Sequence, residues 1–233
     1  MLERVRRDIA AVLERDPAAR TRLEVALLYP GVHAVWAHRA SHWLWRRGHH
    51  LPARTVSQVA RWATGVEIHP GAELGDGLVI DHGAGVVIGE TARVGRDVTI
   101  YHGVTLGGTS IERGRRHPTI GDRVTIGAGA KILGDLTVGD DSRIGANAVV
   151  VRPVHENSVV VGVPGQVVAR AVRHTAADLP DLDHAVVPDP LGHAVHLLAE
   201  RVEALEITLS GHTEAADIHV MDVGVWEAQD YSI

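Results

Sequence analysis

Residues 79–108 read "VIDHGAGVVIGETARVGRDVTIYHGVTLGG", and their aliphatic residues recur with a period that belongs to neither a helix nor a sheet strand. Ile88, Val94, Ile100 and Leu106 stand six apart, where an amphipathic helix would repeat every 3.6 residues and a half-buried strand every two. The same spacing runs upstream through Ile68, Leu74 and Ile80, and downstream through Ile120, Ile126, Ile132, Val138, Ile144 and Val150. Glycine directly follows most of these positions, as at Gly75, Gly89, Gly95, Gly107, Gly121, Gly127, Gly139 and Gly145. One short strand and one turn per hexad, with three hexads closing a triangular coil, satisfies both features. The aliphatic residue points inward and the small residue lets the chain turn. The repeat therefore predicts a mainly β protein, a parallel β-helix over 64–165, whose coils are stable only when stacked.

The flanks follow other rhythms. Leu2, Val5, Ile9, Val12 and Leu13 recur at helical spacing, and Val35, Arg39, His42 and Trp43 share one broad face of a second helical segment. Residues 1–63 are thus expected to be α-helical, punctuated by Pro17, Pro30 and Pro52, with Trp36, Trp43 and Trp45 in helix packing. In the C-terminal extension, 166–233, Leu191, Val195, Leu198, Val202, Leu205 and Leu209 alternate by four and three, which predicts a heptad helix over about 191–209. Three such helices around an axis, or one lying along its own prism, would bury that stripe. A flexible tail is expected beyond it.

Composition narrows the chemistry. Zero cysteines among 233 residues exclude disulfides, thiolate metal sites and an acyl-thioester on the protein. A net charge of -6 argues against a nucleic-acid footprint. The lack of a long apolar run or a signal-like N-terminus points to a cytoplasmic protein without membrane contact.

The hexad rhythm is interrupted twice: around "DHGAG", between Ile80 and Ile88, and by the loop "GGTSIERGRRHPT", between Leu106 and Ile120. Outward loops of a solenoid commonly form its binding face, and each interruption carries a histidine. His82 lies beside Asp81 and about fifteen residues after Glu67, close to the roughly eighteen of one coil, so a carboxylate of the preceding coil can orient the imidazole as a base. Asp81 can take an ammonium group and Arg116 a carboxylate, with His117 next to it. The period leaves open whether the two interruptions meet within one prism or across two.

The segments "GVEIHPGAELGDGLVIDHGAGVVIGETARVG", "VTLGGTS" with "GRRHPTIG", "TIGAGAKILG" and "VVVGVPGQVV", together with "RDPAAR" and "HRASHWLW", resemble the serine O-acetyltransferases, hexapeptide-repeat acyltransferases with a left-handed β-helix, over roughly residues 14 to 170. The resemblance implies acetyl transfer from acetyl-CoA, a co-substrate and not a tightly bound cofactor, to the hydroxyl of L-serine. It makes His82 the general base, Glu67 its orienting carboxylate and His117 a second catalytic histidine. Many members have aspartate where this chain has Glu67. Asp16 and Asp81 would receive the serine ammonium, and Arg116 with His117 its carboxylate. Gly108, Thr109, Ala128 and Ala146 would border coenzyme A, and no metal is implied. The same resemblance implies a homotrimer, further paired as a dimer of trimers, and an O-acetylserine sulfhydrylase partner engaged by the C-terminal Ile233.

Three other readings make different demands. An O-acetyltransferase of homoserine, a sugar or another small hydroxyl compound would keep His82 but not need the ammonium-and-carboxylate clamp. A zinc hydratase would need three of His69, His82, His102 and His117 to converge on one ion. An inactive scaffold would not need Glu67, His82 and His117 together.

Overall fold

A computed structural model of the chain describes residues 2–170 and 190–209. Its centre is a triangular prism of three parallel sheets. The first stacks β1 (Glu67–Ile68), β4 (Val87–Ile88), β7 (Thr105–Gly107), β10 (Lys131–Leu133) and β13 (Val149–Val150). The second stacks β2 (Glu73–Leu74), β5 (Arg93–Val94), β8 (Thr119–Ile120) and β11 (Thr137–Val138). The third holds β3 (Val79–Ile80), β6 (Thr99–Ile100), β9 (Thr125–Ile126), β12 (Arg143–Ile144) and β14 (Ser158–Val161), and β15 (Gln166–Arg170) returns antiparallel along β14. Register is fixed by the hexad aliphatics themselves: Ile80 pairs with Ile100, Ile100 with Ile126, and Ile88 with Leu106. These side chains fill the prism and, apart from the half-buried Leu74, are buried. At about 25 cal/mol per Å² the stacking supplies what a single coil lacks. The antiparallel β15 lies beyond the last hexad, where the six-residue spacing gives no signal; it covers an edge that would otherwise be left unpaired.

Four helices precede the prism: α1 (Leu2–Arg15), α2 (Arg22–Leu28), α3 (Pro30–Arg46) and α4 (His50–Thr64). Thr21 caps α2 by accepting the Glu24 N–H, and Gly65, in the left-handed region at φ 73°, ends α4. Pro52 does not break the chain; it sits in the first turn of α4, where its missing N–H costs nothing. Of the tryptophans, Trp36 packs in the helical core and Trp45 meets His50 and His69 edge-on, whereas Trp43 is exposed under the Arg47 guanidinium. Arg15, its side chain only 4% exposed, ties α1 to the prism through Asp97 and the carbonyls of Gly77 and Val98. Asp8 ties α1 to α3 by accepting from Arg39 at 2.5 and 2.7 Å and from Trp36 Nε1 at 2.9 Å. The N-terminus of α3 lies against β3: a Cβ at Gly31 would overlap the Ile80 carbonyl.

The described residues fall into two units, 2–170 and 190–209. In the second, α5 (Pro190–Leu209) covers the expected heptad helix, and Val195, Leu198, Val202 and Leu205 along it are exposed. Ile233 and the expected tail lie outside the described residues. No described helix is long and apolar enough to cross a membrane.

Candidate active site

At the corner where the third sheet hands over to the first, successive coils stack Gly65, Gly85, Gly103, Gly129 and Asn147, all at positive φ. The two residues inserted after β3 add a second left-handed position to this corner, and it is His82, at φ 51°. A β-turn can place glycine, asparagine or aspartate there with little strain; an imidazole is less common. The turn turns His82 outward, with 77% of its side chain exposed. Its neighbours are the Asp81 carboxylate, 3.9 Å from Nε2, and the His102 ring of the next coil, whose centroid is 6.3 Å away. Glu67 opens β1 just past Gly65 and Val66, the turn on which Ala84 and Gly83 are stacked. Its Oε2 accepts from Arg61 Nε at 3.1 Å, which leaves Oε1 available.

The helices deliver the rest of this cluster. Tyr29, between α2 and α3, donates its hydroxyl to Asp16 Oδ2 at 2.7 Å, a bond that pushes the phenol up to about 12. Burial, then the charges of Asp81 and Asp16, raises Tyr101 as well. Two phenols that both respond to both carboxylates place Asp16 and Asp81 in one region of negative potential, suited to an ammonium group.

The second interruption emerges at the other end of the first sheet, where the chain passes to the second. Here Arg116 Nη2 donates to Glu90 Oε2 at 2.6 Å, and the Arg116 backbone N–H donates to Thr91 Oγ1 at 3.1 Å. Nδ1 of the buried His117 faces Thr91 Oγ1 at 2.9 Å and the Thr91 N–H at 3.3 Å. A Cβ at Gly89 would overlap the His117 ring, and one at Gly108 would stand 3.2 Å from its Nε2. Burial first, then Arg116, pushes the His117 imidazole below its ordinary value, with Glu90 opposing. Burial and then Arg54 push His69, next to this group, down to about 4.

The sequence-predicted residues therefore fall into two groups on one prism. Asp16, Asp81 and His82 share the third-to-first corner, with Ala128 and Ala146 in the turns stacked beyond His102. Arg116, His117 and Gly108 share the first-to-second corner, and Thr109 lies there too, against Gly134. Between the corners runs the first sheet, roughly 13 Å from Gly85 to Gly89 at about 3.3 Å per residue. Among the described residues no three histidine, aspartate or glutamate side chains converge as a cation site. Tyr29, Tyr101, Glu90 and Thr91 escaped the sequence reading. Glu90 was within reach of it: one coil of eighteen plus the eight-residue loop is 26, the separation at which Glu90 holds Arg116. Tyr29 had no such signal, because helical packing carries no fixed register.

A family model described as bacterial transferase hexapeptide (six repeats) matches residues 117–152. A serine acetyltransferase of Mycobacterium tuberculosis is 54% identical over 233 residues, 100% of both chains. Among solved structures, a serine acetyltransferase of Neisseria gonorrhoeae in complex with serine is 46% identical with a TM-score of 0.70, covering 72% of this chain and 69% of that one. A serine acetyltransferase from Brucella abortus in complex with coenzyme A is 44% identical with a TM-score of 0.72, covering 73% and 68%. The prism is accordingly a left-handed β-helix.

Proposed function

The chain belongs to the serine acetyltransferase family, and from that premise we propose that two copies of it build each active site between them. Its activity is transfer of the acetyl group from acetyl-CoA, a co-substrate, to the hydroxyl of serine. The single observation that carries the assembly is the separation of the two groups: the ammonium-binding carboxylates and His82 at one corner, the carboxylate-binding Arg116 and His117 at another. An amino acid of serine's size cannot bridge a face of one prism. Packing prisms about a threefold axis brings the first group of one copy to the second group of its neighbour, which favours the homotrimer; exposed Leu27, Leu28, Leu51 and Trp62 on α2 and α4 offer apolar surface for pairing two trimers.

Within such a site Asp16 and Asp81 hold the substrate ammonium. Arg116 keeps donors for the substrate carboxylate, since Glu90 uses one edge of a guanidinium with five N–H groups. His82, oriented through Glu67 Oε1, takes the proton of the serine hydroxyl; the oxygen attacks the acetyl carbonyl carbon, the C–S bond breaks, and the leaving thiolate receives the proton from the imidazolium. Small residues at Gly108, Ala128 and Ala146 suit close approach of the pantetheine arm, with Thr109 at its side. The clamp sets the distance from ammonium and carboxylate to hydroxyl, so L-serine is preferred over homoserine, whose extra methylene moves the nucleophile by more than about 1 Å. Thiol release from acetyl-CoA with L-serine, D-serine, L-homoserine and a small sugar tests this; faster turnover of homoserine overturns it. The contact of Ile233 with O-acetylserine sulfhydrylase is part of the same reading. Deleting Ile233 should abolish calorimetric binding to that enzyme while leaving acetyl transfer intact.

A further inference from the structure

We propose that Thr91 is a positioning residue that fixes His117 as the neutral imidazole carrying its proton on Nε2, so that His117 meets the substrate as a hydrogen-bond donor and not as a base. The inference rests on the placement of His117 in the active site argued above. Two contacts decide the tautomer. The Thr91 backbone N–H, 3.3 Å away, points at His117 Nδ1 and needs a lone pair there. The Thr91 hydroxyl, 2.9 Å from the same nitrogen, accepts the Arg116 backbone N–H at 3.1 Å and still has its own hydrogen to donate to the Nδ1 lone pair that the Thr91 N–H requires. A proton on Nδ1 would confront the Thr91 N–H and leave the hydroxyl hydrogen without an acceptor; Nδ1 is therefore the acceptor and Nε2 carries the hydrogen.

The charges around the ring agree with a neutral form. Arg116 disfavours a second positive charge, Glu90 offsets this in part, and His69 is itself neutral, its Nδ1 accepting the Gly71 N–H at 3.0 Å. The ring rests on Gly89, where any side chain would overlap its Cδ2–Nε2 edge, and the same edge lies close to Gly108. From that edge an N–H can support an anionic oxygen beside Arg116, whereas the other tautomer would present a lone pair to it.

The test uses the full chain labelled with ¹⁵N-histidine, with the His117 resonances assigned by difference from His117→Ala. Long-range ¹H–¹⁵N correlation should show Nδ1 unprotonated and Nε2 protonated at neutral pH. Thr91→Val removes the hydroxyl donor and keeps the backbone N–H, so it should reduce the excess of the Nε2–H tautomer and lower kcat/KM for serine about tenfold or more, with KM for acetyl-CoA unchanged; Thr91→Ser should restore both the spectrum and the activity to within about threefold. A wild-type spectrum with the proton on Nδ1 or on both nitrogens overturns the proposal, as does a Thr91→Val protein with unaltered tautomer and rate. If His117→Ala itself keeps full kcat/KM, the active-site placement fails instead, whatever the spectrum shows.

Discussion

His82 pairs a left-handed backbone with an outward imidazole and a neighbouring carboxylate. The "DH" of the interrupted hexad marks it in the sequence because a two-residue insertion in so regular a repeat must leave the prism wall. What the sequence cannot fix is its company: Glu67 stands one coil below, its strand pairing with Val87 because the insertion lengthens that coil to twenty residues, and its carboxylate also meets Arg61, which follows no period. Replacing His82 by alanine should lower kcat on the order of 10²- to 10⁴-fold, as for loss of a general base, with serine binding measured by calorimetry retained. In the proposed site Asp16 would act differently, holding a charge that does not change during the reaction. Asp16→Asn should raise KM for serine about tenfold, the cost of one charge-assisted hydrogen bond, and leave KM for acetyl-CoA in place. Equal effects on both substrates would remove Asp16 from the ammonium site.

Among the elements, the short prism strands were the most legible, because each hexad aliphatic occupies the inward position of its strand and the glycines mark the turns. The antiparallel β15 and the docking of the helices were not, since they depend on pairs such as Arg15 with Asp97 and Asp8 with Arg39 that follow no period. Ile126 is fully buried in the middle of the third sheet. Ile126→Ala should cost about 2–5 kcal/mol, read as a lower midpoint in denaturant. Gly89→Ala makes the contrasting case at the end of β4: the new Cβ displaces the His117 ring, so activity should fall at least about tenfold while the far-ultraviolet spectrum keeps its shape. Wild-type activity in Gly89→Ala would mean that the ring has room to move without consequence.

For the whole molecule, burial pushes the imidazole of His38, at the helix–prism junction, down to about 3, and that of His69 to about 4. His38 donates from Nε2 to the Ala72 carbonyl at 3.1 Å, and its buried Nδ1 has no partner, so a proton arriving there finds no acceptor. Both values lie below the ordinary 6.5, so between about pH 6.5 and 4 the unfolded chain binds more protons than the folded one. Stability is therefore full above pH 6.5 and falls as the pH drops through that window, by at most about 1.4 kcal/mol per pH unit for the buried His38 and by less for the half-exposed, solvent-screened His69. His38→Gln should flatten the fall in denaturant melts; an unchanged slope would exclude His38 as a source. The larger claim is that one prism holds only half of what serine needs and that its neighbour holds the other half. Co-expression of His82→Ala with Arg116→Ala tests it most directly, because in the proposed trimer each variant alone would spoil every site. If the site spans two copies, random mixed trimers regain about one quarter of wild-type activity, since each interface is intact only when both contributing residues are. Activity no greater than the sum of the two variants expressed separately would contradict it.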